Sequence, residues 1–372
     1  MSKIIIKSIL TIKYIRYIII TVQTVAQIGV TRMTVTIKDI AKKVGVSPST
    51  VSRVLNGNSR ISEITTKKIH EAMEELNYHP NSLARNFANG LTYCIGLVIN
   101  AQDENTFANA FFNRSVFAIE KVIQEHGYSL IITNDRKKPN KSTVENLMLE
   151  KRVDGLIMPS SMVRTELINK LNRDDFPFIV MGEPKNCKNE TAWIDIDNEQ
   201  GSRIAVEHLI HQGYTKIALV TEKCNTIFTQ KRRDGYLAGI KEHNLEFEQE
   251  YIFELGTDMI ADNKRIEDLF QNENPPDAFL CGSNIIAFNV LKTLKKIKLK
   301  VPKEIGIVTF DNYPIAEYTD PPLTVVDVDT YGLGIQVAEQ LILKIQGNAK
   351  GFHHQYIPTK MIVRESTMKG EG

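Results

Sequence analysis

From Thr92 to the end of the chain, short runs of consecutive apolar residues alternate with amphipathic stretches, and this alternation limits the folds available to most of the protein. Tyr93–Asn100 is followed by a helical pattern over Phe112–His126, Tyr128–Thr133 by one near Ser142–Glu150, and Gly155–Pro159 by one near Thr165–Leu171. Phe178–Met181 and Thr191–Ile196 come next. A second set repeats the scheme: Ile217–Val220, a helix over Gln230–Glu242, Tyr251–Glu254, a helix to Phe270, Ala278–Cys281, a helix to Ile297, and Ile305–Phe310. Strands apolar on both faces and separated by helices predict parallel sheets covered on both sides. Two such sets predict two lobes with a cleft between them, and ligands of doubly wound sheets bind at the carboxyl ends of the strands. Aromatic side chains near those strand ends, Phe107, Phe111, Phe112 and Phe228, are candidates to line the cleft.

The stretch Val35–Asn89 has a different texture. Ile37, Ile40, Ala41 and Val44 fall at helical spacing, Gly45-Val46-Ser47 interrupts, and Val51, Val54 and Leu55 resume the period. Thr36 with Asp39 three residues on forms an acidic variant of the capping box, Gly45 suits a left-handed helix end, and Ser47-Pro48 suits a helix start. A third helix is predicted from Ser62-Glu63 through Ile64, Ile69, Ala72, Met73 and Leu76. Three such helices bury one core and leave Ser49, Thr50, Ser52 and Arg53 at the start of the second helix, where a major groove accepts polar side chains.

Charge supports a nucleic-acid end. The 372-residue chain carries a net charge of +2, but residues 1–91 hold 13 basic and 5 acidic side chains against 33 and 39 in the remainder. The four cysteines, Cys94, Cys187, Cys224 and Cys281, lack CxxC or histidine spacing, so buried free thiols are expected rather than zinc or disulfides. His353-His354 precedes the last predicted strand and is expected to be exposed. No local nucleophile, metal or phosphate-loop motif suggests an enzyme, and no cofactor is expected.

The order TIKDIAKKVGVSPSTVSRVLNG, a third helix ending in ELNYHPN, and NSLARNFANG leading into IGLVI together resemble the LacI/GalR family of transcriptional repressors. The resemblance covers nearly all the chain after Met33. It implies an α/β protein: an N-terminal all-α helix-turn-helix domain with a hinge helix, then a bilobal periplasmic-binding-protein-like core of two doubly wound parallel sheets. The corresponding boundaries are an N-terminal extension at 1–33, a DNA-binding domain at 34–80, a hinge and linker at 81–91, and an effector-binding and dimerisation core at 92–372. Within that core the first subdomain is expected at about 92–195 and 327–348, the second at about 196–326 and 349–368.

The extension, rich in isoleucine with five basic and no acidic residues, reads as a start-site artefact or a disordered segment rather than a signal or membrane anchor. The DNA-facing residues implied by the resemblance are Thr36, Ser47, Pro48, Ser49, Thr50, Ser52, Arg53 and Asn56, with Asn81, Ala84, Arg85 and Phe87 in the hinge. Phe87 stands where an apolar side chain wedges into the minor groove. The effector-facing residues are Phe112, Phe228, Arg232 of the R-x-x-G-Y motif, Asp311 of IGIVTFDNYP, and Tyr313. Asn284 and Gly182 stand where many relatives carry aspartate.

NAFFNRSVFAIE, EKRVDGLIM, IDIDNEQGS and IFTQKRRDGY are most similar to the maltose-operon repressors of Gram-positive bacteria, which implies maltose or a short maltodextrin as effector. Another sugar or a purine remains open. The implied partners are a pseudo-palindromic double-stranded operator, the sugar, and a second copy of the chain; the implied location is the cytoplasm, without a membrane. An exported sugar-binding protein is a remote alternative, because it has no use for VSPSTVSRVLNG.

Overall fold

A computed structural model of the chain describes residues 35–55, 60–78, 90–100, 109–135, 142–185, 191–222, 226–256, 259–348, 351 and 353–369. The chain divides into two compact units, Met1–Ala88 and Asn89–Gly372.

In the first unit, α1 (Ile37–Val44), α2 (Pro48–Leu55) and α3 (Glu63–Glu75) bury Ile40, Ala41, Val51, Val54, Ile69 and Ala72. The Asp39 carboxylate accepts from the Thr36 N–H at 2.8 Å and from its hydroxyl at 2.7 Å, which holds that carboxyl below its ordinary range. Gly45 closes α1 at φ 75°, a conformation without steric cost only for glycine. Ile64, expected on the apolar face of the third helix, is instead 72 % exposed, since the face that meets α1 and α2 carries Ile69 and Ala72.

The second unit holds two six-stranded sheets. The first comprises β1 (Cys94–Ile99), β2 (Ser129–Asn134), β3 (Gly155–Pro159), β4 (Phe178–Met181), β5 (Trp193–Ile196) and β11 (His354–Ile357), in the order β11-β5-β4-β3-β1-β2, all parallel. The second comprises β6 (Ile217–Glu222), β7 (Ile252–Leu255), β8 (Ala278–Cys281), β9 (Gly306–Phe310), β10 (Thr324–Asp327) and β12 (Lys360–Ile362), in the order β12-β10-β9-β8-β6-β7; only β12 runs antiparallel. The order reverses at β1/β3 and at β6/β8, the switch points where this topology opens a crevice.

Helices α4 (Ala110–Glu125), α5 (Thr143–Leu149) and α6 (Thr165–Arg173) follow strands of the first sheet. Helices α7 (Asn198–His211), α8 (Ile227–Glu242), α9 (Met259–Leu269) and α10 (Asn284–Lys296) belong with the second sheet, whereas α11 (Thr330–Ile345) returns to pack on α4 and β3 to β5. The chain passes between lobes at Ile196–Asn198, Asp327–Thr330 and Ile357–Lys360. The last crossing corrects the expected assignment of 349–368 to the second lobe. His354–Ile357 pairs with β5 in the first sheet, and only Lys360–Ile362 joins the second. His354 is exposed as expected, but it lies within the strand and stacks on the lone Trp193 at 4.8 Å between ring centroids.

Candidate functional site

The carboxyl ends of β6, β8 and β9 deliver Glu222, Gly282 and Asp311 to one edge of the second sheet. Arg232, from the second turn of α8, reaches the same edge. Its Nε donates to Asn198 Oδ1 at 2.9 Å and its Nη1 to the Gly282 carbonyl at 2.5 Å, and its guanidinium lies 3.8 Å from the centroid of the Phe310 ring. Phe228, one turn earlier, stands 5.2 Å from the same guanidinium and is 40 % exposed. Arg232 itself is only 8 % exposed, so it is a built part of the site and not a solvated helix-start residue. Burial pulls its guanidinium below the ordinary value, opposed by Asp311, Glu222 and Asp195.

The R-x-x-G-Y motif has a packing reason. A Cβ on Gly235 would sit 2.1 Å from the Glu199 carbonyl oxygen, so only glycine lets α8 lie this close to the start of α7, where Asn198 holds Arg232. Tyr236, fully buried, donates its hydroxyl to the Ile217 carbonyl at 2.7 Å.

Asp311 adopts φ 73°, a left-handed conformation uncommon outside glycine and concentrated at functional sites. Asn284 Nδ2 donates at 2.7 Å to both the Phe310 and Asp311 carbonyls, clamping the turn, while its own buried Oδ1 has no partner among the described residues. Desolvation, with Glu222 and Asp327 adding to it and Arg232 opposing, pushes the Asp311 carboxyl up to about 6. The Tyr313 hydroxyl lies against the Phe111 backbone at the start of α4, so this side chain spans from the second lobe to the first. Burial raises its hydroxyl above the ordinary value.

Arg232, Phe228, Asp311 and Tyr313 therefore gather at one edge of the second sheet. Phe111 and Phe112 are half-buried and pack on the core, with Phe112 the neighbour of the backbone that meets Tyr313. Asn312 is turned away and accepts from Arg364 at 2.8 Å. Gly182 is explained by its own geometry: at φ 94°, with Ser160 Oγ 2.7 Å from where a Cβ would be, any side chain there would be strained. Asn198, Glu222 and Asp195 were missed. Asp195 accepts from the Glu183 and Ile196 N–H groups, and burial raises its carboxyl.

In the helix-turn-helix, Ser47 Oγ accepts from the Thr50 N–H at 3.1 Å and bonds the Ser49 and Thr50 hydroxyls at 2.7 and 2.9 Å. Ser47, Pro48, Ser49 and Arg53 are exposed, Thr50 and Ser52 partly so, and Thr36 is exposed at the head of α1. Asn56, Asn81, Ala84, Arg85, Phe87 and Phe107 lie outside the described residues. Among the described residues, no helix is long and apolar enough to cross a membrane, and no group of histidine, cysteine, aspartate and glutamate could hold a metal.

Comparison with known proteins gives these features a context. Residues 36–81 match the profile of bacterial regulatory proteins of the lacI family, and residues 206–367 that of the periplasmic binding protein-like domain. The HTH-type transcriptional repressor PurR of Aliivibrio salmonicida is 32 % identical over 322 residues, 86 % of this chain and 94 % of that protein. Among solved structures, a transcriptional regulator CelR–cellobiose complex is 25 % identical with a TM-score of 0.64, covering 89 % of this chain and 99 % of that one. The lac repressor dimer bound to operator and the anti-inducer ONPF is 24 % identical with a TM-score of 0.75, covering 90 % and 99 %. A probable maltose operon transcriptional repressor MalR of Staphylococcus aureus is 24 % identical with a TM-score of 0.65, covering 75 % of this chain and 99 % of that one. The protein belongs to the lacI family of bacterial regulatory proteins and is a DNA-binding repressor.

Proposed function

We propose that this repressor responds to an uncharged sugar, maltose or a short maltodextrin, which binds at the carboxyl edge of the second sheet and releases the operator. The observation that carries the reading is the setting of Arg232: braced by Asn198 and Gly282, stacked on Phe310, and faced by Asp311. A guanidinium fork offers donors, a carboxylate accepts from hydroxyls, and the aromatic faces of Phe228 and Tyr313 suit the C–H faces of a pyranose. Cellobiose in the CelR complex supports a disaccharide as the ligand class.

A purine base is the second reading, favoured by the name PurR borne by curated relatives and by the same carboxylate, which accepts equally from a ring N–H. Calorimetric titration with maltose, glucose and guanine separates the two. Maltose binding that is lost on Arg232→Lys supports the sugar; guanine binding with no response to maltose replaces it with the purine.

Release follows from the crossings between lobes. A ligand that binds the closed arrangement more tightly than the open one shifts the balance by its differential affinity alone. In a homodimer on a pseudo-palindromic site, that shift would alter the spacing of the hinge segments 81–91 and of two recognition helices reading half-sites about one helical turn apart.

A further inference from the structure

We infer that Glu222 is a specificity-determining residue of the effector site: a second acceptor that, together with Asp311, restricts the cleft to uncharged polyhydroxyl ligands and turns away phosphorylated ones. The inference rests on the reading of this edge as a sugar site. Glu222 ends β6, and β6 and β8 flank the switch point of the second sheet, where the topology places ligands. Its Oε2 lies 3.2 Å from the position a Cβ on Gly282 would take, and Gly282 is the residue whose carbonyl accepts from Arg232. Glu222 thus stands beside the arginine on the β8 side, with Asp311 at the end of β9.

Neither carboxylate has a hydrogen bond or ion pair within reach among the described residues, although both act electrostatically on Arg232. Arg232 is in turn committed to neutral partners at Nε and Nη1 and stacked on a ring, so its charge is not consumed by either acid. Asp195, the third acid facing it, already accepts from two backbone N–H groups, and the nearby Lys231 is paired with Glu199. Among the described residues, the Arg232 guanidinium therefore faces two unpartnered carboxylates, and Arg114 is a second cation that acts on this edge, at Tyr313.

Such a site is short of donors and rich in acceptors. A polyol supplies hydroxyl donors to both carboxylates and accepts from the arginine, and hydrogen bonds to ionised groups are roughly twice as strong as neutral ones. A phosphate supplies further acceptors and negative charge, so it meets repulsion from Glu222, Asp311 and also Asp195 and Asp327, against attraction from Arg232 and the Arg114 that acts on Tyr313. The sequence offers no warning of this role, because an acid at the end of an apolar run reads equally well as a solvated strand terminus.

The test is calorimetry on the intact protein and its Glu222→Gln variant, with maltose, maltose 6′-phosphate and inorganic phosphate as titrants and the melting temperature as a check on folding. The wild type should prefer maltose to its phosphate. Glu222→Gln should weaken maltose about tenfold and tighten the phosphorylated sugar and inorganic phosphate by a similar factor. Unchanged affinities in the variant, or a wild type that prefers the phosphorylated sugar, overturn the inference. If neither protein binds maltose, the sugar reading fails, and inorganic phosphate decides the point for Glu222. Tighter phosphate binding by the variant upholds its role; equal binding refutes it.

Discussion

At Arg232 and Asp311 the fold holds two charges in costly positions. Asp311 combines a left-handed backbone with a carboxyl raised from 3.8 to about 6, facing Arg232, Glu222 and Asp327. Because the folded value exceeds the unfolded one, this group favours the folded state fully only below about pH 4, and that contribution is lost as the pH rises through about 6. Asp311→Asn should therefore raise stability at pH 8 by on the order of 1 kcal/mol, allowing for screening at the cleft mouth, and leave it nearly unchanged at pH 4. Melting curves at the two pH values check the sign. The same variant should lose the effector response, and effector affinity of the wild type should fall as the pH drops below about 6. Arg232→Lys, which gives up the planar fork and the stacking on Phe310, should weaken the effector by about 100-fold while operator binding persists, as anisotropy with labelled DNA would show. Arg232 and Asp311 were legible because each sits in a local motif. Asn198 was not, because its partner lies 34 positions away and nothing in IDIDN marks which side chain turns inward.

The pairing of α7 with α8 shows what an element contributes to a site built from distant residues. Gly235 lets the backbones approach, and that approach brings Asn198 to Arg232. Gly235→Ala should cost about 2–3 kcal/mol through overpacking and weaken the effector as well, a joint loss readable from denaturant midpoints and ligand titration. The buried strands were legible as apolar runs, with ends off by a residue or two: β1 spans Cys94–Ile99 within the expected Tyr93–Asn100. Helix α7 had no counterpart in the sequence reading. Its first turn, Asn198-Glu199-Gln200-Gly201, is polar and carries a glycine, and it gains its apolar face only from Ala205, Val206 and Leu209 onward. Strand β11 was assigned to the wrong lobe because a chain that crosses between sheets gives no local signal of which one it enters.

Across the whole molecule, the separation of charge matches the division of labour. The first 91 residues carry the basic excess and the helix-turn-helix, and the remainder carries an acidic excess and the edge proposed to bind the effector. Operator affinity should fall steeply with salt, and Arg53→Ala should weaken it; a reduced salt slope in the variant identifies a phosphate contact, and relaxed sequence preference identifies a base contact. Between the lobes the backbone crosses at Ile196–Asn198, Asp327–Thr330 and Ile357–Lys360, the arrangement of a hinge, and Tyr313 bridges them against the Phe111 backbone. The central claim is that occupancy of the Arg232–Asp311 edge by an uncharged sugar releases DNA. Its most direct test is fluorescence anisotropy of a pseudo-palindromic operator bound to the protein, titrated with maltose, glucose and guanine. Release by maltose, with operator affinity falling about tenfold or more while glucose and guanine have no effect, is the predicted result. Operator affinity that ignores maltose, or that responds to guanine instead, would contradict it.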